Sequence, residues 1–154
     1  MISSSLEEYL KTIYILNNTE KQIRVTDISK RLNCTKPSVN RALNCLKDEG
    51  LIFYEAYKNI EITEKGIDLA KSIVKKQDIL KLFLTQVLGV DENVAGEEAT
   101  NMKHAISEDT TLKLENYIIK TLGLEDLKCN YDLTSGKCQN CIKIKSKSKI
   151  KLKK

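Results

Sequence analysis

The chain has no tryptophan, one proline, one histidine, two phenylalanines and six glycines among its 154 residues. So little proline and glycine excludes collagen-like and low-complexity classes and predicts a mostly helical chain. One histidine leaves no HExxH pair. There is also no glycine-rich phosphate loop and no nucleophile with a histidine base at workable spacing, so neither an enzyme nor a small-molecule substrate is expected. No apolar run approaches the roughly 20 residues of a membrane span. The opening MISSSLEEYL lacks a basic region followed by an apolar stretch, which predicts a cytoplasmic protein without a membrane partner. Disulfides are rare there, so the five cysteines read as thiols, metal ligands or redox switches.

Acidic excess is lacking too, but the formal charge of +5 is local. The last thirteen residues, IKIKSKSKIKLKK, hold seven lysines and no acid. Without them 19 basic side chains face 21 acidic ones, so the body is balanced and the tail is the basic object. The tail reads as a disordered arm adding phosphate contacts to a nucleic-acid binder. A basic strand, a membrane-surface patch and a solubilising end remain open.

What is present is helical periodicity. Residues 4–18 carry Leu6, Leu10, Ile13 and Tyr14 on one face, with Glu7 and Glu8 in a first turn that favours acids. Residues 22–25 suit a short strand. Thr26 then caps a helix burying Ile28 and Leu32, and Asn33 and Cys34 make a turn. The next helix opens at Thr35 and carries a Val39, Leu43 and Leu46 stripe until Gly50 stops it. LIFYEAYKNIEIT reads as a hairpin around Lys58 and Asn59. Helices are predicted over 64–88, 91–107 and 108–122, and 128–141 is turn-rich. Cys34 and Cys45 read as small core or turn residues.

A short helix, a tight turn and a second helix with an apolar inner face and a polar outer face can dock in a DNA major groove. Opposite the apolar stripe lie Lys36, Ser38, Asn40 and Arg41. Arginine bonds a guanine edge bidentately and asparagine an adenine edge, while Lys36 and Ser38 suit phosphates. Thr35 and Pro37 in the opening turn, and Lys58 and Asn59 at the hairpin tip, complete the candidate contact set. A small helical unit with a solvated polar face would share the first features. The added hairpin, ending in I-T-E-K-G, favours a winged helix-turn-helix on double-stranded DNA.

The stretches LEEYLKTIYIL, VTDISKRLNCTKPSVNRALNCLKDEGLI, ITEKGIDLAKSIVKKQDILKLFLTQVLGV and GEEATNMKHAIS resemble the iron- and manganese-dependent repressors related to diphtheria toxin repressor and the manganese transport regulator, in their two-domain form. The resemblance implies a mostly α fold with a small β-wing. A winged helix-turn-helix domain (1–63) would be followed by a helical metal-sensing and dimerisation domain (64–127), with a cysteine loop and lysine tail beyond (128–154). It implies a homodimer on a palindromic operator, repressing metal-homeostasis genes in response to Mn2+ or Fe2+. Carried over residue by residue, its metal site falls on Glu8, Asp78, Glu98 and His104. Lys11 stands where the manganese type has a second acid, Gln77 where it has a histidine, and Thr100 and Lys103 where it has further donors. Lys11 and Lys103 would then supply the positive charge that metal brings elsewhere, leaving metal binding weak or absent; a partial site is the alternative.

Cys129, Cys138 and Cys141 form a C-x8-C-x2-C array. Its C-x2-C half lets two thiolates reach one ion from a tight turn, which suits zinc, an iron–sulfur cluster or a redox dithiol. A metal-independent or redox-responsive regulator, or an interaction module that keeps the fold, is the competing function.

Overall fold

Helix α1 (Ser4–Thr19) begins where Ser3 Oγ accepts the Leu6 N–H, and it buries Leu10 and Ile13. The computed structural model describes residues 2–56 and 58–123, and the backbone of two short strands, Tyr131–Asp132 and Lys137–Cys138. Cys129, Cys141 and the lysine tail lie outside the described residues.

The expected strand over 22–25 is absent, because Asp27 Oδ2 accepts the Arg24 N–H (2.9 Å) and α2 (Val25–Leu32) therefore starts ahead of Thr26. Arg24, not Thr26, is the cap residue. Helix α2 ends on Asn33 in the left-handed region (φ 48°), a conformation asparagine tolerates better than most side chains. The Cys34 N–H reaches back to Ser29 O (3.1 Å) and the Asn33 N–H to Lys30 O (3.4 Å), closing the tight turn. Helix α3 (Lys36–Asp48) follows, with Thr35 Oγ1 accepting the Ser38 N–H. Gly50 (φ +69°) closes α3 through bonds from its own N–H to Lys47 O and from the Leu51 N–H to Leu46 O.

Strands β1 (Ile52–Phe53) and β2 (Glu61–Ile62) pair antiparallel, Ile52 with Ile62 and Phe53 with Glu61. Strands this short do not stand alone. Ile52 and Ile60 are buried, and each contributes roughly 1.5–3 kcal/mol. They join Leu10, Ile13, Ile28, Val39, Leu43 and Leu46 in one apolar cluster.

Helix α4 (Glu64–Leu82) is clamped at its start: Thr63 donates its N–H to Leu51 O and its hydroxyl to Gly50 O, and accepts the Gly66 N–H. The chain divides into two compact units between Val74 and Lys75. The predicted helix over 64–88 ends in a π-helical turn, Phe83–Val87. There the Thr85 hydroxyl takes Lys81 O (2.9 Å), competing with the helical ladder. In the second unit α5 (Glu92–Met102) is shorter than the predicted 91–107, because Ser107 caps α6 (Glu108–Leu122) and a turn intervenes. Leu80, Leu84, Ala95 and Ala99 form one apolar cluster of this unit, and Ile79, Leu82 and Ile118 another. Where composition predicts turns over 128–141, the described backbone pairs β3 (Tyr131–Asp132) with β4 (Lys137–Cys138) antiparallel, which places Cys138 in a strand. Cys34 is half-buried in its turn, but Cys45 is exposed rather than a core residue, since it lies off the α3 stripe.

A Cβ on Gly66 would stand 2.1 Å from Leu51 O, a backbone atom that the clamp holds in place. Gly66→Ala should therefore lower unfolding free energy by about 2 kcal/mol, seen as a lower urea midpoint for the first unit.

Candidate nucleic-acid interface and metal centre

Burial of the Val39, Leu43 and Leu46 side leaves Lys36, Pro37, Asn40 and Arg41 exposed on the other face of α3. Beside them a groove of about 740 Å³ runs between α3, the start of α2 and the hairpin. Its wall includes Arg24, Thr26, Lys36, Asn40, Tyr54 and Lys58, with no carboxylate among the described residues that line it. Arg24 and Tyr54 escaped the sequence reading. Period-two alternation from buried Ile52 past exposed Phe53 points Tyr54 inward, so its position was within reach.

The structure divides the remaining predicted contacts by task. Thr35 and Ser38 bond each other (Oγ1 to Oγ 2.9 Å) and hold the α3 N-terminus. Asn59 Oδ1 accepts the Ile23 N–H (2.9 Å), latching the hairpin to the loop before α2. Lys58 pairs with Glu55 at the exposed tip, and that ammonium holds the Glu55 carboxyl below its usual range. From α1, the Tyr9 hydroxyl donates to Cys34 Sγ (3.5 Å). That bond tethers the turn between α2 and α3 and, with burial, pushes the phenol up.

In the first unit Glu8 is ion-paired with Lys11 (Nζ to Oε2 2.6 Å), both side chains largely covered. In the second unit Gln77 Nε2 donates to Thr100 Oγ1 (2.7 Å), whose hydroxyl donates to Gly96 O. Lys103 is buried at 3% exposure, Asp78 is half-buried, and Glu98 and His104 are exposed. Within either unit, no three His, Cys, Asp or Glu side chains among the described residues group so as to hold a metal ion.

Residues 1–60 match the family described as iron dependent repressor, N-terminal DNA binding domain, and residues 63–120 match its metal binding and dimerisation domain. The chain belongs to the iron-dependent repressor family. An HTH-type transcriptional regulator of Methanocaldococcus jannaschii is 37% identical over 120 residues, 77% of this chain and 96% of that protein. The HTH-type transcriptional regulator MntR of Bacillus subtilis is 30% identical over 107 residues, 70% of this chain and 75% of its own. Among solved structures, the manganese regulator SloR superposes with a TM-score of 0.66 at 26% identity, over 73% of this chain and 53% of SloR, so this chain spans about half of SloR's length. A hypothetical protein from Sulfolobus solfataricus gives 0.63 at 25% identity, over 77% of this chain and 91% of its own.

The chain is thus a transcriptional regulator of a metal-dependent repressor family, with a DNA-binding domain and a dimerisation domain. Neither unit by itself supplies a manganese-type donor set among the described residues. A dication favours anionic oxygens and neutral imidazoles, whereas Gln77 and Thr100 bond each other and an ammonium already neutralises Glu8. Replacing that ammonium by a carboxylate changes the local charge by two units. Lys11→Glu should therefore tighten Mn2+ binding by about tenfold or more at a partly covered site, measured by calorimetric titration beside the unaltered chain. Equal affinities would show that Lys11 does not govern the site.

Proposed function

We propose that two copies of this chain bind a palindromic operator in double-stranded DNA, each placing α3 in the major groove, and repress genes of metal homeostasis. The observation that carries this reading is the groove lined by Arg24, Lys36 and Lys58 beside the exposed Asn40 and Arg41. Arg41 reads a guanine edge and Asn40 an adenine edge, while the lysines and Arg24 contact phosphates. Thr35, Pro37 and Ser38 set the start of the reading helix, and Asn59 holds the wing in place. Dimerisation is supported by exposed Leu88, Val94, Leu112 and Tyr117 in the second unit, apolar surface that a second copy covers. No helix among the described residues is long and apolar enough to cross a membrane, and a cytoplasmic, non-enzymatic regulator is the reading that fits.

Metal responsiveness belongs to the family. In this chain the input is Mn2+ or Fe2+ held weakly, with Glu8, Asp78, Glu98 and His104 as the available donors and Lys11 opposing them. For Cys129, Cys138 and Cys141 we propose zinc, an iron–sulfur cluster or a redox dithiol, on spacing alone.

Incubating the full chain with fragments of genomic DNA, with and without Mn2+ and Fe2+, and sequencing what is retained should yield one enriched sequence with inverted symmetry. The Asn40→Ala, Arg41→Ala double variant should retain fragments without enrichment. Equal enrichment by the variant would show that α3 is not the reading element.

A further inference from the structure

The Tyr54 hydroxyl donates to Asn40 Oδ1 at 3.0 Å. This joins the wing to the exposed face of α3. The tyrosine is anchored, since its half-buried ring packs against the apolar cluster beneath the hairpin. Asn40 is exposed on the rim of the groove, with Lys36 one turn before it and no carboxylate among the described lining residues.

A carboxamide on a helix surface turns about its terminal torsion at little cost, because that torsion is broad and two-fold. Untethered, it offers a base edge either its oxygen or its NH2 group, and so discriminates poorly. A hydroxyl holding the oxygen removes that freedom. The NH2 becomes the outward donor, and the second lone pair of Oδ1 remains in the same plane. That donor and acceptor side by side complement N7 and the N6 amino group of adenine.

We propose that Tyr54 is a positioning residue for base recognition, fixing the Asn40 amide so that each half-site carries an adenine at the base pair Asn40 faces. The proposal rests on the reading of α3 as the DNA-contacting helix. Tyr54 itself touches no base; it acts through Asn40.

The experiment compares the full chain, Tyr54→Phe and Asn40→Ala on the selected operator and its single base-pair variants, by fluorescence anisotropy at several salt concentrations. Phenylalanine keeps the ring in the core, and thermal melting confirms an intact fold. Asn40→Ala identifies the base pair. At that pair alone, Tyr54→Phe should lower the preference for adenine roughly tenfold, with the salt slope, which counts phosphate contacts, unchanged. An unaltered preference at that pair would overturn the proposal. So would a uniform loss of affinity with a shallower salt slope, which would make Tyr54 a phosphate contact. If Asn40→Ala alters no base preference while Arg41→Ala does, the positioning role fails and the recognition helix stands. If neither alters it, the recognition helix fails as well.

Discussion

The buried stripe of α3 is the contact on which the first unit depends. Val39, Leu43 and Leu46 are fully enclosed with Leu10, Ile13 and Ile28, and together they hold three helices and the wing in one arrangement. Turning α3 about its axis would expose this stripe, at roughly 1.5–3 kcal/mol for each side chain returned to water. The polar face of α3 has therefore one direction in which to point. The exposure of Lys36, Asn40 and Arg41 follows from that burial.

Much of this was legible in the residues. Apolar spacing gave the α1 and α3 stripes, the threonine before Lys36 gave a cap, and the asparagine after Leu32 gave the turn. The I-T-E-K-G stretch marked the return from wing to helix, and the clamp on Gly66 explains why a glycine stands there. What escaped was set by individual hydrogen bonds, one between residues distant in sequence and the others local. Asn59 looked like a tip residue but bonds Ile23, 36 positions away, and Arg24 reached the groove because α2 starts ahead of Thr26. The strand expected over 22–25 failed because one carboxylate, Asp27, captured the Arg24 N–H. The long helix continues to Val87 but as a π-helical turn from Phe83, where the Thr85 hydroxyl takes Lys81 O.

The metal input contrasts with the DNA-reading face. On α3 the residue types suit the chemistry and the fold exposes them. At the positions that the resemblance assigns to metal, Lys11 neutralises Glu8, and a glutamine bonds a threonine where donors are expected. Electrostatics separates the two: cations beside α3 favour a polyanion, while an ammonium paired with Glu8 disfavours a small dication there.

The central claim, that α3 lies in the major groove, is tested most directly by methylation interference on the selected operator. Dimethyl sulfate modifies guanine N7 on the major-groove edge, where Arg41 is placed. Interference should fall in two guanine-containing half-sites about one helical turn, or ~34 Å, apart. Binding that is indifferent to N7 methylation, or one interference site without its symmetric mate, would contradict the account.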